Sequence, residues 1–233
     1  RVPQGTPSRP PPPSAHPLAP PRGYEPDADE LDTMDEATHR RVAFEVGGVV
    51  REQFRLLRQL GEGVLGAAWL AADARGGDVV LKVVSDMLVH NDRERADLVG
   101  KLGMFAGRTL AGVVMPREVF AVPGSVVLVY PHVDAVSLRA VIDARRAQGA
   151  GFSPEECLRV AQALMAVVQA MHAASPHGAL WPQNVLVTAR GLLLVDGFLG
   201  VSVPPDRLAA RVEHHTRAAP FAAPELFGGR RPT

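Results

Sequence analysis

His177-Gly178-Ala179-Leu180-Trp181-Pro182-Gln183-Asn184-Val185-Leu186 is the stretch on which the reading of this chain turns. It sits between two patterns that are legible on their own. Upstream, Ser153-Pro154-Glu155-Glu156 is a helix start, with a cap, a proline at the first helical position and acids in the first turn. Leu158, Ala161, Leu164, Met165, Val168 and Met171 then keep a 3.6-residue apolar stripe as far as His172. Downstream, residues 184–188 and 192–195 predict a hairpin about Arg190-Gly191. Between His177 and Asn184 there is no carboxylate.

Outward toward the N-terminus the texture is that of strands. Residues 54–60, 67–72 and 78–84 predict three strands, with turns at Gly61–Gly66 and Gly76-Gly77. Residues 88–108 carry a helical periodicity weakened by Gly100, Gly103 and Gly107. Residues 113–122 and 125–130 predict two more strands about Pro123-Gly124. A further helix is expected over 137–148 with Ser137 as its cap. Residues 197–233 read as loop punctuated by prolines.

This order of elements, with its motifs, resembles the protein kinase fold, and is most similar to the bacterial serine/threonine kinases. The resemblance covers the chain from about Phe54 onward. Gly61-Glu62-Gly63-Val64-Leu65-Gly66 is similar to the family's glycine-rich loop, G-x-G-x-x-G, whose bare backbone lets phosphates approach. Val79-Val80-Leu81-Lys82 resembles the third-strand V-A-x-K, which makes Lys82 the lysine that meets the α/β-phosphates. Val80 and Ala68 depart from the usual alanine and valine beside the adenine. Leu128-Val129-Tyr130-Pro131-His132-Val133 resembles the hinge between lobes. There the resemblance puts Tyr130 at the gatekeeper position, and gives the Pro131 carbonyl and Val133 amide to the adenine edge.

The opening stretch resembles H-[RG]-D-L-K-P-x-N-[IV]-L and matches it at seven positions. Its mismatches are the chemistry. Ala179 stands where the family keeps the catalytic aspartate, and Trp181 where it keeps a lysine. A methyl group accepts no proton and an indole neutralises no phosphate charge. Asn184 keeps the position that holds magnesium. Asp196-Gly197-Phe198 resembles D-F-G with its last two residues exchanged, leaving Asp196 as a second metal ligand. Ala223-Pro224-Glu225 resembles the A-P-E end of the activation segment. Counting back from it places Ala218 where the family has a threonine of the same network. On the inserted helix, counting back from Val113-Val114 puts Lys101 where the lysine's glutamate partner belongs, so two lysines are expected to face each other.

The implied fold is α+β. A bilobal kinase-like domain is expected, with a five-stranded antiparallel N-lobe bearing one helix over 44–131. A partial, mainly helical C-lobe follows over 132–233 and leaves an apolar helix face open. Residues 1–43 are rich in proline and then acidic, which predicts a disordered linker or, as the sharper alternative, a ligand for a proline-binding partner.

The 233 residues carry no net charge, which argues against nucleic acid as partner. No run of apolar residues reaches membrane-spanning length. The one cysteine, Cys157, is expected to be a buried apolar residue and fits a reducing compartment, the cytoplasm. Only two of the 25 basic residues are lysine, which makes Lys82 informative. Three readings follow. The first is a pseudokinase that binds ATP and Mg²⁺ and acts through a protein partner. The second is an active serine/threonine kinase using atypical residues. The third is an interaction scaffold that needs no nucleotide.

Overall fold

The computed structural model describes residues 42–215 and 218–230. The linker expected over 1–43 lies outside the described residues except for its last two.

A six-stranded sheet forms the first lobe. Its strands are β1 (Val49–Val50), β2 (Phe54–Gly63), β3 (Gly66–Asp73), β4 (Asp78–Val84), β5 (Glu118–Val122) and β6 (Ser125–Pro131). They are ordered β1-β2-β3-β4-β6-β5, every pair antiparallel. The sixth strand, beyond the five expected, is β1, two residues long and too short to show an alternation. The period of two along β4 and β6 sorts side chains between two cores. Val79, Leu81, Val83, Val127 and Val129 join Phe54 and Trp69 in an outer cluster, on which Val42 and Phe44 also pack. Val84, Val126, Leu128 and Tyr130 point the other way, into a cluster continuous with the second lobe. Lys82 falls between Leu81 and Val83 and so lies on this inner face.

Helix α1 (Asp92–Gly103) crosses that inner face. Asn91 caps it by accepting from the Glu94 amide at 2.9 Å. Leu98 and Leu102 are its buried residues. Lys101 therefore does not face Lys82. It projects outward and pairs with Asp97, one turn back, at 2.6 Å. The expected clash of lysines is absent because the loop after α1 changes the register that counting assumed. Part of that loop was read as strand. Val113 and Val114 instead tie the lobes together: the Val114 amide donates to Leu194 O and the Leu194 amide to Gly112 O, both at 2.8 Å.

The second lobe has a small sheet, β7 (Val136–Ser137), β8 (Val185–Thr188) and β9 (Gly191–Leu194), in that order. Helix α2 (Leu138–Ala147) is capped by Ser137, as expected. Helix α3 (Pro154–His172) starts with a reciprocal capping box between Ser153 and Glu156. Arg145 of α2 grips the same Glu156 with two hydrogen bonds of 2.8 and 2.7 Å. Met171 is the buried residue of α3, while Leu158 and Met165 are 59% and 56% exposed, the open apolar face anticipated. Cys157 corrects its expectation. It is exposed, in the first turn of α3 on a side the described residues leave uncovered.

Residues 197–230 are not simply loop. They hold α4 (Leu199–Ser202), α5 (Pro205–His214) and α6 (Pro224–Phe227). Pro205 occupies the first position of α5, where its missing N–H has no partner to lose. Leu208 and Val212 anchor the helix, one turn apart and both buried.

Candidate functional site

A cavity of about 800 Å³ lies between the lobes. Gly61, Gly63 and Gly66 wall it from above, Val80 and Lys82 from β4, and Tyr130, Pro131 and Val133 from the segment joining the lobes. Trp181, Asn184 and Asp196 form its floor. The structure thus brings together every binding and metal position that the sequence singled out. Ala179 lies just beneath, 1% exposed.

The glycine turn is narrow because β2 and β3 pair up to Gly63 opposite Gly66. Gly66 has φ +131°, and a Cβ there would lie 2.0 Å from the Val83 carbonyl oxygen, so no other residue fits. A Cβ on Gly61 or Gly63 would meet nothing within 4 Å, which leaves their backbone open to the cavity.

Lys82 Nζ meets Asp196 Oδ2 at 2.8 Å, with the two side chains 10% and 6% exposed. Two buried charges at this separation hold each other in place. The Tyr130 hydroxyl is buried beside them without a hydrogen-bond partner. Burial first, and the Asp196 charge second, push its pKa well above the ordinary phenol range. The hydroxyl is therefore an uncharged donor facing the cavity.

Backbone geometry around Asp196 is unusual. Asp196 and Phe198 both have left-handed φ, 59° and 69°. Asp tolerates that region, whereas for Phe it is an outlier held by its surroundings. The exchanged order of Gly197 and Phe198 has a packing reason. A Cβ on residue 197 would lie 2.9 Å from Met171 Cε. Phe198, one position later, is buried and stacks on Phe105 with ring centroids 4.0 Å apart.

His177 braces the floor. Its Nε2 lies 3.0 Å from Val195 O, and its Nδ1 accepts from the Ala179 amide at 3.3 Å. This is the neutral tautomer with the proton on Nε2. Burial pushes its pKa below the ordinary imidazole value. Asn184 donates from Nδ2 to Ala179 O at 2.9 Å, so its side-chain oxygen is left for another partner.

The positions lacking catalytic side chains are packed shut. Ala179, Trp181 and Ala218 all belong to the buried apolar cluster that includes Leu208 and Val212. Backbone meets backbone beside them: a Cβ on Gly200 would lie 2.6 Å from Gly178 C and 3.0 Å from Ala179 Cβ.

Sequence reasoning missed His214 and His215, read as ordinary loop residues, and Arg58. All three line the cavity. The histidines reach it because α5 folds back over the cleft, and nothing in the local sequence signals that contact. Among the described residues no three His, Cys, Asp or Glu side chains cluster as a metal site, and no helix is long and apolar enough to cross a membrane.

The two-lobed arrangement, antiparallel sheet above and helices below with the cleft between, is a protein-kinase-like fold. The solved structures make the likeness specific. The PknI kinase domain of Mycobacterium tuberculosis superposes with a TM-score of 0.58 at 19% identity, over 81% of this chain and 85% of that one. The kinase domain of maize sucrose-induced receptor kinase 1, bound to AMP-PNP, gives 0.59 at 20% identity, over 75% and 61%. A double mutant of the PknI domain matches over 67% of this chain, which spans 64% of that domain. No protein-family model matches the chain, and no curated protein matches it in sequence.

Proposed function

We propose that this chain is a pseudokinase: it binds an adenine nucleotide in the cleft, transfers no phosphate, and acts by engaging a protein partner. One observation carries the reading. The buried Lys82–Asp196 pair stands at the cavity floor, while Ala179, beside it, is sealed in apolar packing. Phosphoryl transfer depends on positioning, charge stabilisation and a group that orients or deprotonates the acceptor. Lys82 supplies charge, and no side chain at 179, 181 or 218 supplies the rest.

The nucleotide half of the reading rests on the shape of the cleft and on a similarly folded domain that holds AMP-PNP. The residues present also fit Mg²⁺. That ion takes one or two protein carboxylates and fills its shell with water and phosphate oxygens. Asp196 and the free side-chain oxygen of Asn184 would hold it, and it would supply neutralising charge to the phosphates. Binding would act on a partner through lobe closure, since a ligand shifts only states it distinguishes. A bacterial signalling role in the reducing cytoplasm is the setting the reading implies.

Titration with ATP and Mg²⁺, run beside a γ-labelled phosphate-transfer assay on a generic protein substrate, tests it. Saturable binding without transfer is expected. Transfer would support an active kinase with atypical residues, and no binding by folded protein would support a nucleotide-independent scaffold.

A further inference from the structure

Helix α5 makes a set of contacts that neither the fold nor the cleft requires. Arg207 and Arg211 are one turn apart and project to the same side. Arg207 reaches α1, donating to both oxygens of Glu94 at 2.6 and 2.9 Å and to Leu88 O at 3.2 Å. Arg211 reaches the glycine turn, donating from Nε to Val64 O and from Nη2 to Gly63 O, both at 3.3 Å. The fork of a guanidinium suits such divided bonding. On its opposite side α5 is anchored by Leu208 and Val212. One ten-residue helix therefore joins the glycine turn, the start of α1 and the apolar floor.

Its end matters as much as its sides. His214 closes α5 and His215 caps it, and both line the cavity with Gly61, Gly63 and Gly66. The C-terminal end of a helix carries partial negative charge and carbonyls without partners. A phosphate chain laid under the glycine turn would meet that end. The observed placement of α5 and a bound polyphosphate are thus mutually unfavourable.

We propose that α5 is a latch, bolted by Arg207 and Arg211, that holds the glycine turn down and bars phosphate-bearing ligands until it lifts. The identity of the ligand rests on the nucleotide reading above; the latch itself rests only on these contacts. When the competent state is a minor fraction, apparent affinity falls by that fraction. If one molecule in ten is unlatched, releasing the latch tightens ATP binding by about tenfold. Adenosine, which has no phosphates, gains little.

The test uses the full chain with Arg211→Ala, Arg207→Ala/Arg211→Ala and Glu94→Gln. The last removes the charge that Arg207 grips without shortening any side chain of α5. Hydrogen exchange over residues 61–66 and 88–98 is followed without ligand, and ATP and adenosine affinities are then measured. The latch predicts faster exchange over residues 61–66 in the two arginine variants and over 88–98 in the double variant and Glu94→Gln. It also predicts ATP binding tightened at least about fivefold in the double variant, with adenosine changed less than twofold. Unchanged exchange overturns the latch whatever ATP does. Faster exchange with unchanged ATP affinity overturns the gating and leaves the nucleotide reading intact. Faster exchange with no ATP binding by any variant overturns the gating together with the nucleotide reading.

Discussion

Replacing Lys82 with methionine is expected to destabilise the chain by about 3–4 kcal/mol. The substitution strands the Asp196 carboxylate, whose side chain is 6% exposed and whose partner atom lies 2.8 Å away. Breaking one side of a buried pair typically costs about 3–5 kcal/mol. The carboxyl has one escape, which is to take up a proton. Holding a group of ordinary pKa near 3.9 protonated at pH 7 costs about 1.36 kcal/mol for each of about three units, or roughly 4 kcal/mol, so the loss is capped near that value. Asp196→Asn removes the charge, so Lys82→Met/Asp196→Asn recovers much of what Lys82→Met loses. A double-mutant cycle then returns a coupling of about 2–3 kcal/mol. Urea unfolding of the four proteins measures it, and melting shows the single variant lower by about 6–16 °C for a chain of this size. A loss below about 1 kcal/mol with no coupling would refute a buried, mutually dependent pair. The result also governs how any Lys82 variant is read in ligand assays, because its unliganded baseline has moved.

Ala179→Asp, which writes back the missing base, is expected to lower stability by about 2–5 kcal/mol and to restore no phosphate transfer. It forces added volume and an unpaired carboxylate into the apolar packing around Gly200. Normal stability together with measurable transfer would contradict that. Gly66→Ala should cost at least about 3 kcal/mol, read by chemical unfolding, because strain at φ +131° adds to the collision with Val83 O. Acid should weaken the fold through His177. Its folded pKa lies below the unfolded value near 6.5, so the unfolded chain binds the proton more tightly. The stabilisation is complete above about pH 6.5 and is lost as pH falls below it. His177→Gln should flatten the stability profile between about pH 7 and 5, and an unchanged slope would show that His177 does not titrate there.

The strands of the first lobe were legible because each alternates between two cores, and Lys82 was legible because a lone lysine breaks that alternation on the cleft side. Helices α2 and α3 announced themselves through Ser137 and the Ser153–Glu156 box, signals that lie within a few residues. What failed depended on distant partners. The register of α1 was counted across the loop after it, which set Lys101 where Leu98 and Leu102 face inward. Val113 and Val114 looked like strand but take their hydrogen bonds from the β9 region. Helix α5 was masked by Pro204 and Pro205 and is held by contacts to Glu94 and Gly63, over a hundred residues upstream. Cys157 follows the same rule: its exposure depends on what covers α3.

The measurement that tests the central claim most directly is the melting temperature of the full chain with Mg²⁺ and increasing ATP. Nucleotide at 100 times its Kd stabilises the folded state by about 2.7 kcal/mol. For a chain of this length that raises the melting temperature by about 5–11 °C. A saturable rise of that size is predicted, and a melting temperature unmoved by millimolar ATP in a sample that unfolds cooperatively would contradict the account.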